Sequence, residues 1–189
     1  MNLSVGTLFL IVGPSGVGKD TLIDGAKAAL KDEKNFVFPT RYITRSIDAG
    51  GENHFPINQE EFEAKKNAGA FALSWEAHGL QYGISSEIID EIKNGNTIVV
   101  NVSRSAIDEA RANFPKVRII NISAPQDLLR ARLLERGREN FDDIEQRLTR
   151  ASAYKIAGDD VSELCNDMDR ASAIEKFVNL LGRLAIGSV

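Results

Sequence analysis

Six-residue β-type runs alternate along this chain with stretches whose apolar positions recur every three or four residues. Thr7 to Val12 is followed by Lys19 to Leu30, Thr97 to Val102 by Ala106 to Asn113, and Val117 to Ile122 by Pro125 to Arg136. The short runs predict buried strands, because a strand covered on both faces loses the in-and-out alternation of a half-exposed one. The longer stretches predict amphipathic helices, and regular alternation of the two predicts βαβ units, hence an α/β fold with a parallel sheet covered by helices on both faces. Helix starts carry their own chemistry: Asn58 with Glu61, and Ser123 with Gln126, stand at capping-box spacing. A last helix over roughly Asp169 to Leu184 is predicted from Ile174, Phe177, Val178 and Leu181, whose spacing makes one apolar stripe.

Two stretches break the alternation. Phe38 to Gly83 carries strand-like pieces at Arg41 to Thr44 and Phe71 to Trp75, a helix at Gln59 to Asn67 and glycine turns, and it predicts a small insertion, 38–83, over the sheet's edge. Arg136-Gly137-Arg138-Glu139-Asn140 is a charged, glycine-containing break between helices, the pattern of a mobile lid over 136–142. No repeat, low-complexity tract or linker divides the rest, so 1–189 reads as one domain.

Composition narrows what such a domain can meet. With 43 % hydrophobic and 26 % charged residues the chain can build a core, which argues against disorder. A net charge of −4 gives no long-range attraction for nucleic acid or an acidic membrane, so neither is expected as a partner and any bound anion must meet a local basic cluster. Cys165 is the only cysteine, which excludes an intrachain disulfide and a cysteine-rich zinc site and suits a reducing cytoplasm. Thr7 to Val12 lacks a basic leader and is too short to cross a bilayer, so no export is implied. Assembly state is left open, a homodimer included.

The local anion site is legible. Strand residues Leu8 to Val12 run straight into Gly13-Pro14-Ser15-Gly16-Val17-Gly18-Lys19 and then a helix-forming stretch. This is the G-x-x-x-x-G-K loop in its strand-loop-helix setting: glycines let successive N–H groups turn inward around a polyphosphate, the helix N-terminus adds partial positive charge, and Lys19 brings a full one to the β/γ bridge. The implied ligand is ATP with Mg2+. Asp20 stands where the pattern has Ser or Thr, with Thr21 next. Either Asp20 joins the metal's hydration shell, or it caps the helix and Thr21 meets the metal.

From Gly13 to about Leu148 the chain resembles the guanylate-kinase branch of the nucleoside monophosphate kinases. The resemblance is carried by the loop, Thr44-Arg45, Gly51-Glu52, Tyr82-Gly83 and Leu133-Leu134-Glu135-Arg136-Gly137-Arg138-Glu139. It implies a P-loop core in three layers, an acceptor-binding insertion and an arginine lid. It further implies that Arg45 and Tyr82 hold the acceptor's phosphate, that Lys19, Arg136 and Arg138 stabilise the transferring group, and that Arg147 and Arg150 extend the charge cluster.

Departures from the family pattern redirect the acceptor. Guanine is read there by a small hydroxyl residue and a carboxylate, and those places hold Arg41 and Leu73, while a phosphate arginine falls on Asp48 and a tyrosine on His54. A leucine offers nothing to a guanine N–H pair and an arginine only donates, so unpaired base groups would cost about 1 to 3 kcal/mol each. An anionic acceptor without a base fits better. The segments Arg41 to Arg45, Ala49 to His54, Ala72 to Gly83 and Val100 to Arg104, with Gly18-Lys19-Asp20, are similar to the ribose 1,5-bisphosphate phosphokinases of phosphonate breakdown. That similarity implies a small phosphorylated sugar as substrate. Asn101, at a predicted strand end, and Arg104 just after it are further candidates for binding it. Competing expectations are a guanylate kinase with an unusual pocket and a non-catalytic module of the same fold. No Asn-Lys-x-Asp guanine reader is present to suggest a GTPase switch.

Overall fold

In the computed structural model, which describes residues 5–46, 53–137, 144–145, 148–149 and 155–186, the first apolar run becomes β1 (Leu8–Val12), buried throughout. There follow α1 (Lys19–Ala29), β2 (Phe36–Val37), β3 (Arg41–Ile43), β4 (His54–Pro56), α2 (Gln59–Asn67), β5 (Phe71–Ala77) and β6 (Leu80–Ser85). Beyond these come α3 (Ile88–Lys93), β7 (Thr97–Asn101), a 3-10 turn (Arg104–Ala106), α4 (Ile107–Asn113), β8 (Val117–Ser123), α5 (Gln126–Arg136), β9 (Val161–Cys165) and α6 (Arg170–Ile186). One sheet has the order β2-β7-β1-β8-β9 and the other β4-β3-β6-β5. The five-stranded sheet, parallel and flanked by helices, is the α/β architecture that the hydrophobic pattern predicts. By contacts the chain divides into two compact units, Met1–Leu10 with Glu33–Val117, and Ile11–Asp32 with Arg118–Val189.

In the first unit the four-stranded sheet sorts its side chains by register. Arg41 pairs with His54, Ile43 with Tyr82, Trp75 with Tyr82 and Leu73 with Ile84, so period-two alternation puts all of these on one face. The opposite face is aromatic: the Tyr42 ring lies 5.1 Å from Phe55 and 5.5 Å from Phe71, and Phe62 of α2 lies 4.8 Å from Phe71. The buried side of α2 thus covers the aromatic face. The capping box predicted at its start is formed, Glu61 N–H donating to Asn58 Oδ1 at 2.8 Å and Asn58 N–H to Glu61 Oε2 at 3.4 Å. Between β5 and β6 the turn is His78-Gly79, both with positive φ (54° and 72°), as a two-residue hairpin loop requires.

In the second unit, Leu22 and Ala26 of α1 and Ala173, Phe177 and Leu181 of α6 are buried where the two helices pack together. The box expected from Ser123 and Gln126 does not form. Ser123 is still in the sheet, paired with Cys165, its carbonyl accepting the Asn166 N–H at 2.7 Å, and α5 begins after Pro125 with no side-chain cap.

Helix α6 is capped by Asp169, whose Oδ1 accepts the N–H groups of Ala171 (3.0 Å) and Ser172 (3.1 Å) while Oδ2 accepts the Ser172 hydroxyl at 2.6 Å. Bonding to Ser172, hydroxyl first and backbone second, holds the Asp169 carboxyl below its ordinary range. A carboxyl depressed on folding stabilises above its unfolded pKa and stops doing so as pH falls through the lower folded value. Asp169→Ala is therefore expected to lower the melting temperature at pH 7, and the gap from the parent should close below about pH 4. Thermal unfolding at several pH values checks this.

Candidate active site

The phosphate loop lies in the second unit and is built at the end of β1. Gly13, at φ 146°, has its Cα against the Ile122 carbonyl, and a Cβ there would stand 2.3 Å from that oxygen. Glycine is required at this position twice over, by backbone angle and by space. Pro14, Ser15 and Gly16 make the bend, closed by the Val17 N–H donating to the Pro14 carbonyl at 3.4 Å, and the Val17 side chain is fully buried. Gly18 is the left-handed cap of α1. Lys19 opens that helix, and its Nζ donates to the carbonyls of Gly13 (2.7 Å) and Pro14 (3.0 Å), so the ammonium is folded back over the loop. A polyphosphate there would meet helix N–H groups and a charge already in place.

Asp20 lies half-buried inside the first helical turn, not at the cap, and Thr21 is exposed. The capping alternative for Asp20 is thereby removed.

The loop also rests on a residue that sequence reading missed. Asn166, just after β9 and 7 % exposed, donates from Nδ2 to the Val17 carbonyl at 2.7 Å, and Arg132 Nη1 approaches the same oxygen at 3.5 Å. β9 itself, Val-Ser-Glu-Leu-Cys, mixes polar and apolar residues too evenly to announce a strand.

On the first unit, the predicted acceptor residues Arg41, His54 and Tyr82 share the face of the four-stranded sheet opposite α2. Arg41 is only 8 % exposed; its Nη1 donates to the Asn101 carbonyl at 2.8 Å and its guanidinium carbon lies 5.8 Å from the centre of the Tyr82 ring. Trp75 stacks on Tyr82 from the neighbouring strand, 5.4 Å between centres and 4° from parallel. The indole is buried on this face. His54 Nε2 lies 3.1 Å from the Arg45 carbonyl, and since a carbonyl can only accept, this bond puts the proton on Nε2. Leu73 is 1 % exposed on the same face. Asn101 is the buried last residue of β7, and Arg104 begins the 3-10 turn that packs near β5.

Of the arginines expected in the lid, Arg136 closes α5, followed by Gly137 as a left-handed cap at φ 60°. Its side chain, together with Arg138, Arg147, Arg150 and Asp48, lies outside the described residues. Arg130 on α5 grips Glu145 through both carboxylate oxygens at 2.7 and 3.1 Å, which fastens residue 145 to α5. That bond holds the Glu145 carboxyl below its usual range.

The guanylate kinase family model matches residues 5–175. A ribose 1,5-bisphosphate phosphokinase PhnN from Agrobacterium fabrum is 47 % identical over 89 % of this chain and 90 % of that protein. Its counterpart from Thiobacillus denitrificans is 38 % identical over 95 % of this chain and 94 % of that one. A bifunctional ribose 1,5-bisphosphokinase-thymidine phosphorylase from Roseobacter denitrificans is 44 % identical over 93 % of this chain, which spans 26 % of that longer protein. Among solved structures, a guanylate kinase from Anaplasma phagocytophilum shares the fold, with a TM-score of 0.70 at 19 % identity, covering 100 % of this chain and 90 % of that one. Among the described residues no helix is long and apolar enough to cross a membrane. The chain belongs to the guanylate kinase family, and within it to the ribose 1,5-bisphosphate phosphokinases.

Proposed function

We propose that this protein transfers the γ-phosphoryl group of ATP to ribose 1,5-bisphosphate, giving 5-phosphoribosyl 1-diphosphate and ADP. The observation that carries the reading is Leu73 and Arg41, both buried on one sheet face: a leucine stands where a guanine-reading carboxylate would, and a cation shares that face across β6. The names of the relatives support the same acceptor. In the reaction an oxygen of the 1-phosphate attacks the γ-phosphorus, the bond from that phosphorus to the β/γ bridge oxygen breaks, and ADP leaves with the charge. A phosphate monoester has its second pKa near about 6, so the attacking group is already a dianion and needs no general base. The protein's work is alignment and neutralisation of charge.

Lys19 neutralises the bridge oxygen, Arg136 and Arg138 are assigned to the transferring group on lid closure, and Arg147 to substrate binding. Arg41, Arg45, His54, Tyr82, Asn101 and Arg104 hold the sugar phosphates. Among the described residues no group of three or more His, Cys, Asp or Glu could hold a metal alone. Asp20 and Thr21 fit a magnesium ion bound mainly by nucleotide phosphates and water, which would offset the repulsion between donor and acceptor phosphates. A panel of ribose phosphates and nucleoside monophosphates, offered with ATP and magnesium, tests the assignment. Ribose 1,5-bisphosphate is expected to yield ADP and a product heavier by one phosphoryl group, with GMP inert. Turnover of GMP with ribose 1,5-bisphosphate untouched would overturn it.

A further inference from the structure

We propose that Asn166 is a positioning residue for the polyphosphate, acting through the Val17 carbonyl to aim the Gly18 N–H into the phosphate loop. The proposal rests on the reading of that loop as the ATP site. A trans peptide is planar, with its C=O and N–H pointing opposite ways, so whatever holds the Val17 carbonyl also directs the amide of Gly18. That holder is the side-chain amide of Asn166, at 2.7 Å and buried. Asn166 is itself held by its backbone N–H on the Ser123 carbonyl at 2.7 Å, one residue beyond the Ser123 and Cys165 pairing of β8 with β9. Sheet rigidity is thus passed to one peptide of the loop. Gly18 fits this arrangement: at φ 96° its missing Cβ would stand 2.6 Å from Asn166 Nδ2, so the amide occupies the outer side of the peptide and leaves the N–H to the inner side. In a loop that works by convergent N–H groups, one peptide turned over replaces a donor by an acceptor facing phosphate.

The test uses Asn166→Asp and Asn166→Ala in the full chain, with ADP and AMP affinities by calorimetry, KM values for ATP and acceptor, and activity relative to the parent from pH 5.5 to 8. At pH 8 the aspartate would set a carboxylate against the Val17 carbonyl. Affinity for ADP should fall about tenfold or more, with AMP and acceptor KM unmoved, because only ADP has a β-phosphate. Burial against a carbonyl oxygen disfavours the charged form and pushes the aspartate above the ordinary carboxylate range, so as pH falls it gains a proton and again offers a donor; its deficit should shrink, while that of Asn166→Ala stays flat. Equal losses for ADP and AMP, or an Asn166→Asp deficit independent of pH, would overturn the proposal in favour of a merely structural asparagine. If Asn166→Asp fails to fold, the ADP-to-AMP preference of Asn166→Ala decides. Failure of the parent to bind ADP would instead refute the ATP loop, and this inference with it.

Discussion

Lys19→Met is expected to lower the rate of phosphoryl transfer by at least about a hundred- to a thousandfold, the range seen when one preorganised charge stabiliser is removed from a transition state. Charge moves onto the β/γ bridge oxygen as the bond breaks, and Lys19 is the loop's full positive charge, held over it by the carbonyls of Gly13 and Pro14. Methionine keeps the length of the side chain and removes both the charge and those two bonds. The loop's shape does not depend on them alone: Gly13 is fixed against Ile122, the Val17 side chain is buried, and Asn166 holds the Val17 carbonyl. The variant should therefore fold, with a melting temperature close to the parent's, and retain measurable nucleotide affinity while kcat collapses. Single-turnover rates with saturating ATP check the claim, and a parental rate would remove Lys19 from the chemistry.

The loop was legible in advance because everything that makes it is local: seven consecutive residues, the strand before them and the helix after. The shared face of Arg41 and Ile43 was legible because two residues apart on one strand point the same way, whereas Arg45 lies past the end of β3. The capping box read at Asn58 forms and the one read at Ser123 does not, although their spacing is the same. The difference is tertiary: Ser123 belongs to a ladder completed by β9, whose mixed composition hides it. Asn166 illustrates the limit most clearly, because its partner Val17 lies 149 residues away and nothing in either neighbourhood announces the other. Likewise, sequence left Trp75 between core and pocket wall; the structure shows it buried and stacked on Tyr82 across the β5 and β6 register.

Arg41→Ser is expected to raise the KM for ribose 1,5-bisphosphate about tenfold to a hundredfold, with the KM for ATP little changed. A hydrogen bond to a charged group contributes about 1.5 to 3 kcal/mol, and each 1.4 kcal/mol is a factor of about ten in affinity. Burial makes Arg41 the kind of cation that would matter here: it is 8 % exposed, lies over the Tyr82 ring, and is oriented by its bond to the Asn101 carbonyl, so little ordering is needed when a phosphate arrives. Serine also removes the donor that satisfies that carbonyl, so some loss of stability must be separated from loss of binding. Arg41→Lys separates them, since it keeps a cation but not the planar fork: if the guanidinium grips a phosphate as well as Asn101, lysine should recover only part of the affinity. Initial rates across acceptor concentrations, for the three proteins at a temperature well below their melting points, give the answer. An acceptor KM unchanged in Arg41→Ser would assign Arg41 to the fold alone and move the second phosphate to other residues of that face.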